Sequence, residues 1–357
     1  MSKKLLFFIS LSLAVLFVLL PFVVSCSNQA DTPTDTPTDT PTITPQQWQL
    51  SSSFPAGHDQ NMVILDFAEE LEQSTDGAIQ IEVFEATLGA PTDAWDMLEN
   101  NNVQLTFTAE AYNPGRMPIV SLLNMPFELP NFPVVSSVMG AWLQAGYLTE
   151  LTDHFHVVLY QPVFPQGLWL TDQKPTTLAD LEQMKISVAS GLMGETFAAL
   201  GATAVAIGPS DVYMSLQTGA IDGVTSGIDN MVSRKWFEQT QYGLQEGFFA
   251  GCFILLMNLD TWNSLPSDLQ DTITQIANDV SAYHLERRAA EQEDFQQTLT
   301  QSGVELYNIS ADELAKWKQA TASVTEDYVA DLDSQGFPAS NAIDLLRETV
   351  SDYEATH

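Results

Sequence analysis

The residues with the widest chemical repertoire here are five histidines and two cysteines, and their spacing offers little for catalysis. His154 and His156 flank a phenylalanine, which puts both imidazoles on one face of an extended segment, a spacing able to hold a metal ion. No third ligand is in view, so no metal is expected. His284 falls in a long helical stretch, His357 ends the chain, and His58 lies in the loop after the first strand. Cys252, inside the apolar run from Gly251 to Met257, reads as a small core residue. With Cys26 assigned to the lipid anchor, the cysteines define neither a disulfide framework nor a thiolate site. The sequence has no Gly-x-Ser-x-Gly, Walker loop, His-Glu-x-x-His or dinucleotide fingerprint. Gly191 and Gly194 open a helix able to seat an anion, but turn-making glycines account for them as well. Pairs of carboxylates are uninformative among 46 acidic residues. The expectation is a protein without catalytic residues and without a cofactor.

The elements that position these residues begin after a leader. Lys3 and Lys4 precede an apolar run from Leu5 to Val24, and Ser25 stands before Cys26, the pattern of a secretory signal ending in a lipoprotein box. On that reading residues 1–25 are removed and Cys26 carries lipid; an uncleaved anchor helix is the alternative, since about 20 apolar residues can span a bilayer. Residues 26–45 contain a tandem Asp-Thr-Pro-Thr repeat with nothing to bury, expected to be an extended stalk. Without Lys3 and Lys4, ten basic residues face 46 acidic ones, a net charge near −36. Nucleic acid and anionic lipid are thereby disfavoured as partners, and the acidity reads first as solubility.

Residues 46–357 are long enough for two lobes with their own cores. Leu50 to Phe54 reads as a strand, Met62 to Gln73 as an amphipathic helix, Ile79 to Phe84 as an alternating strand, Ala94 to Asn100 as a helix, and Val103 to Phe107 as a strand. Such alternation predicts a mostly parallel sheet covered by helices. It restarts after Val157, and the segment from Pro266 to Gln301 is one long helical pattern, followed by further helices. The expected fold class is α/β, two-lobed like periplasmic binding proteins, with a ligand cleft between the lobes and long C-terminal helices.

One stretch is more specific. The segment Lys174 to Ile186 resembles a passage of the solute-binding proteins of tripartite ATP-independent periplasmic (TRAP) transporters, DctP type. So do Ala199-Leu-Gly-Ala202, the segment Ser210 to Gly223, Lys235-Trp-Phe-Glu238, and Met257-Asn258 followed by Trp262 and Leu265. Thr75-Asp-Gly77, Leu88-Gly89 and Met125-Pro-Phe127 fall where the family has matching pieces, so the resemblance runs in order from about 48 to 330. It implies an extracytoplasmic protein that captures a small molecule and delivers it to TRAP membrane subunits. The first lobe is expected at about 46–164 and 253–292, the second at about 165–252 and 293–340. A ligand-sensing lipoprotein of the same fold is the alternative, and a secreted hydrolase the remote one.

The departures bear on the ligand. Where the family carries an arginine that clamps a carboxylate, this chain has Ser187, and a second arginine of some members falls at or beside Trp169. After Asp222-Gly223 the chain reads Val224-Thr-Ser226 where the family often has Gln-Glu-Asn. The expected pocket is Phe54 and His58 from the first loop, Glu110 and Tyr112 after Phe107, and Trp169, Ser187, Thr225 and Ser226 from the second lobe. Trp169 is taken as a stacking surface. A site with Glu110, Tyr112 and Trp169 but no arginine suits a neutral polar or cationic solute. The competing reading keeps a carboxylate, held by Arg116, by backbone N–H groups or by a metal ion.

Overall fold

A computed structural model of the chain describes residues 45–356, apart from 114 and 190. The leader, Cys26 and the whole Asp-Thr-Pro-Thr repeat lie outside the described residues. The elements follow in chain order: β1 (Gln46–Ser52), α1 (Met62–Ser74), β2 (Ile79–Glu85), α2 (Ala94–Glu99), β3 (Leu105–Thr108), α3 (Phe132–Ala145), α4 (Thr149–Thr152) and β4 (Phe155–Pro162). A second group comprises β5 (Gln166–Leu170), β6 (Lys185–Val188), α5 (Gly191–Ala199), β7 (Thr203–Ala206), α6 (Pro209–Gln217), β8 (Gly223–Ser226), α7 (Ile228–Ser233) and β9 (Tyr242–Phe249). The chain then runs through β10 (Cys252–Asn258), α8 (Leu259–Asn263), α9 (Ser267–Gln301), β11 (Glu305–Tyr307), α10 (Ala311–Ser334) and α11 (Ala339–Thr356).

Local sequence explains the boundaries. Asn131 caps α3 by accepting the Val134 N–H, with Pro133 in its first turn, and Gly146 at φ +72° ends it in the left-handed region. Pro209 opens α6, where its missing N–H costs nothing.

The strands form two sheets, in the orders β2-β1-β3-β10-β4 and β11-β9-β5-β8-β6-β7. Both are mixed rather than mostly parallel. β1 pairs parallel with β2 and β3, but β10 is antiparallel to β3 and β4, and β5 is antiparallel to β8 and β9. The chain crosses between lobes after β4 and returns after β9, so the returning strand enters its sheet from the opposite end. The two crossings are bonded to each other, Val163 N–H to Gly251 C=O at 3.0 Å.

The first sheet packs on α1 and the N-terminal half of α9 through one cluster (Phe67, Leu71, Ile273, Val280) and on α3 and α11 through another (Trp142, Leu256, Ile343). The second sheet is likewise covered on both faces, by α5 and α10 and by α6, α7 and the end of α9. The lobe division therefore falls inside helices. Trp317 of α10 is in the second-lobe core while Val329 and Leu332 of the same helix are in the first, and α11 packs on α3 rather than on the second lobe. At about 1.5 Å per residue, the 35 residues of α9 are long enough to run from one core to the other.

Candidate functional site

The C-terminal ends of β1 and β3, with the start of β10, build an aromatic wall. Phe54 stacks on His58 at 4.4 Å between ring centroids and meets Phe253 edge-on at 4.8 Å. Phe253 also approaches Phe107 at 5.4 Å and Tyr112 at 6.1 Å. Two residues singled out in the sequence, Phe54 and Tyr112, thus converge on a third, Phe253, and His58 joins the wall through Phe54. Phe253 is not legible in the sequence, because it stands in an apolar run that reads as core throughout.

The loop carrying Phe54 and His58 is held by Asn61, buried beneath it. Its Oδ1 accepts the Ser52 hydroxyl at 2.6 Å, and its Nδ2 donates to Glu85 Oε1 at 2.7 Å and to the carbonyls of Pro55 and Phe54 at 3.1 and 3.2 Å. Asn61→Ala should lower stability by about 2 kcal/mol, since several buried groups lose partners together. Thermal denaturation checks this, and an unchanged melting temperature would show that the loop is held by other means. His58 accepts the Gln60 N–H on Nδ1 at 3.2 Å, so its neutral ring carries the proton on Nε2, available as a donor. Burial, first of all, draws its pKa below the usual histidine value, opposed by the charges of Asp59 and Asp229 and reinforced by Arg234 and Arg288. His58 therefore feels charges from α7 and α9.

Glu110 is 9% exposed. One oxygen accepts Asn124 Nδ2 at 2.6 Å, the other is buried without a partner, and burial pushes the carboxyl pKa up. It abuts the lobe crossing, where a side chain added at Gly251 would meet Glu110 Oε1 at 3.8 Å. Burial thus disfavours the carboxylate form and weakens Glu110 as the anion expected to attract a cation.

Trp169 requires a correction. It is 1% exposed and packs among Val224, Leu216, Met231 and Leu299, with its indole N–H donating to the Ser226 carbonyl at 2.9 Å. Glycine at 243 makes room for it, as a Cβ there would lie 2.5 Å from the ring. The ring is core, not an open stacking surface; only an edge reaches a cavity of about 70 Å³ shared with Phe164, Ile228 and Gln292. Ser187 pairs in register with Val224, and Thr225 and Ser226 end β8; all three are buried, and the Thr225 hydroxyl has no partner.

Other candidates disperse. Arg116 pairs with Asp96 at 2.8 Å and lies over the Trp95 ring at 5.5 Å on the surface, which removes it as a carboxylate clamp. His154 sits 3.5 Å from Glu99, whereas His156 stacks on Trp262 at 3.5 Å, and burial lowers its pKa to about 4. Among the described residues no group of three metal-ligating side chains comes together. A larger groove, about 910 Å³, runs between α1 and α9 past Asp66, Glu70, Asp279 and Tyr283, and holds none of the residues singled out in the sequence.

Residues 50–331 match the model of the bacterial extracellular solute-binding proteins, family 7 (DctP). The chain belongs to this family. It is 28% identical over 229 residues to a solute-binding protein of Roseobacter denitrificans, covering 62% of this chain and 69% of that one. It is 21% identical over 282 residues to the C4-dicarboxylate-binding periplasmic protein DctP of Rhodobacter capsulatus, covering 77% and 84%. A TRAP periplasmic solute-binding protein from Desulfovibrio salexigens has the same fold, with a TM-score of 0.79 over 87% of this chain and 97% of that one at 20% identity. As a DctP-family protein the chain captures a small solute outside the cytoplasm for a TRAP transporter. No helix of the described residues is long and apolar enough to cross a membrane.

Proposed function

We propose that this DctP-family protein captures its solute between the Phe253-centred aromatic wall of the first lobe and the ends of β6 and β8 with α7 in the second. The observation that carries this is the convergence of Phe54, Phe107 and Tyr112 on Phe253, with His58 stacked on Phe54, at the C-terminal ends of β1 and β3. Ligands of open α/β sheets bind beyond those ends. The wall offers ring faces and edges and the His58 Nε2–H, and Glu110 behind it offers a carboxyl kept toward neutrality. Ser187, Thr225 and Ser226 supply hydroxyls and backbone groups from the facing lobe. No nucleophile stands beside a general base in this arrangement, so the ligand is released unchanged. Lipid on Cys26 tethers the protein, and TRAP membrane subunits receive the solute.

A thermal-shift screen with amines, betaines, polyols, nucleosides and organic acids finds the ligand, because saturation at 100 times Kd adds about 2.7 kcal/mol of stability. Phe253→Ala should then weaken binding by about 2 kcal/mol, as expected for a central aromatic anchor. Calorimetry showing an unchanged Kd for Phe253→Ala would place the site elsewhere.

A further inference from the structure

The apolar stripe of α9 runs through Leu269, Ile273, Ile276, Ala277 and Val280 in the first-lobe core, and reaches the second-lobe core at Leu299. Continued at the same helical spacing it places His284 and then Arg288 on the buried side, where the helix passes between the lobes. Arg288 is 2% exposed and is the one buried arginine or lysine among the described residues. Its guanidinium lies 4.2 Å over the ring of Phe164, which belongs to the first crossing between lobes. Nε and one terminal nitrogen have no hydrogen-bond partner. Asp229, Glu291 and Asp59 favour its charged form from a distance, yet none of them forms an ion pair with it. A buried charge left unpaired is unfavourable, and proteins keep such groups where a partner arrives later.

We infer that Arg288, backed by Phe164, is the anion-binding group of the cleft and that the solute carries a carboxylate or similar flat anion. Phe164 lies over the guanidinium, and the free N–H groups lie in the guanidinium's own plane, the geometry that a carboxylate meets with two parallel bonds. The position is right for the cleft proposed above, on which this inference rests: the charge of Arg288 acts on His58 in the aromatic wall, and that of Asp229 at the start of α7 acts on both. The cation missing at Ser187 in the second-lobe sheet is supplied instead by the helix that spans the lobes.

Matched acids and amides separate charge from shape. Benzoate and pyruvate should raise the melting temperature of the wild type, while benzamide and pyruvamide at equal concentration should not. Arg288→Gln should weaken acid binding at least tenfold by calorimetry, and Arg288→Lys should recover part of it. Arg288→Met, which keeps the stem packing on Phe164, should melt no lower than the wild type without ligand. Equal acid binding by wild type and Arg288→Gln would overturn the inference, as would an Arg288→Met protein that melts well below the wild type while Arg288→Gln binds acids normally, the mark of a structural strut. Amides that bind as well as acids, with binding lost in Phe253→Ala, would remove the anion and leave the cleft standing. Acid binding lost in Arg288→Gln but untouched in Phe253→Ala would keep the anion site and remove the aromatic wall from it.

Discussion

Trp169→Ala should lower the unfolding free energy by about 4 kcal/mol, the cost of emptying a fully buried aromatic site. The ring fills the space between the second sheet and α6, α7 and α9, and its N–H bond to the Ser226 carbonyl ties β5 to the end of β8. Glycines 167 and 243 flank it closely, so the neighbouring backbone has no side chains with which to collapse into the void. Urea denaturation measures the effect as a lower midpoint with little change in slope. Trp169→Phe should retain more than half of the lost stability. If Trp169→Ala kept wild-type stability and lost only ligand affinity, the ring would be a wall of the pocket after all.

That correction shows what sequence can and cannot carry at this site. An aromatic at a family arginine's position invites a reading by substitution, ring for guanidinium in the same place. A strand has two faces, however, and the neighbours opposite Trp169 are Val224, Leu216 and Met231, all distant in sequence. Local signals were enough where they set local structure: the alternation of β2 and the periodicity of α1 correspond to strand and helix as observed. They were insufficient for β9, whose Tyr-Gly-Leu-Gln-Glu-Gly-Phe-Phe hides its pairing behind two glycines, and for the body of α3, where Asn131 and Pro133 mark the start but Val134 and Val135 are poor helix formers held there by burial. Arg288 was the accessible case. The apolar stripe of α9 points to it by spacing alone, but the sequence does not say that its guanidinium lies over Phe164, more than 100 residues earlier.

The pH dependence of stability should contain one large and separable contribution, from Glu150. Its side chain folds back from α4 so that Oε1 accepts the Ile119 N–H at 3.1 Å, while the other carboxylate oxygen is buried without a partner. Burial outweighs the backbone N–H bonds and raises the pKa to about 7. Between the ordinary glutamate value and this one, the native state binds a proton that the unfolded chain has released. Stability therefore falls as pH rises across that window, from about 4.5 to about 7. The stabilisation is fully present below the window and gone above it. At about 1.4 kcal/mol per pH unit the whole effect comes to about 3.5 kcal/mol. Glu150→Gln keeps the carbonyl that accepts the Ile119 N–H and cannot ionise. Its stability should match the wild type near pH 4.5 and exceed it by about 3 to 3.5 kcal/mol at pH 8. The remaining carboxylates titrate alike in both proteins and cancel in the difference. A difference that stays flat from pH 4.5 to 8 would mean that Glu150 ionises in the native state at its ordinary value, with its second oxygen reached by water.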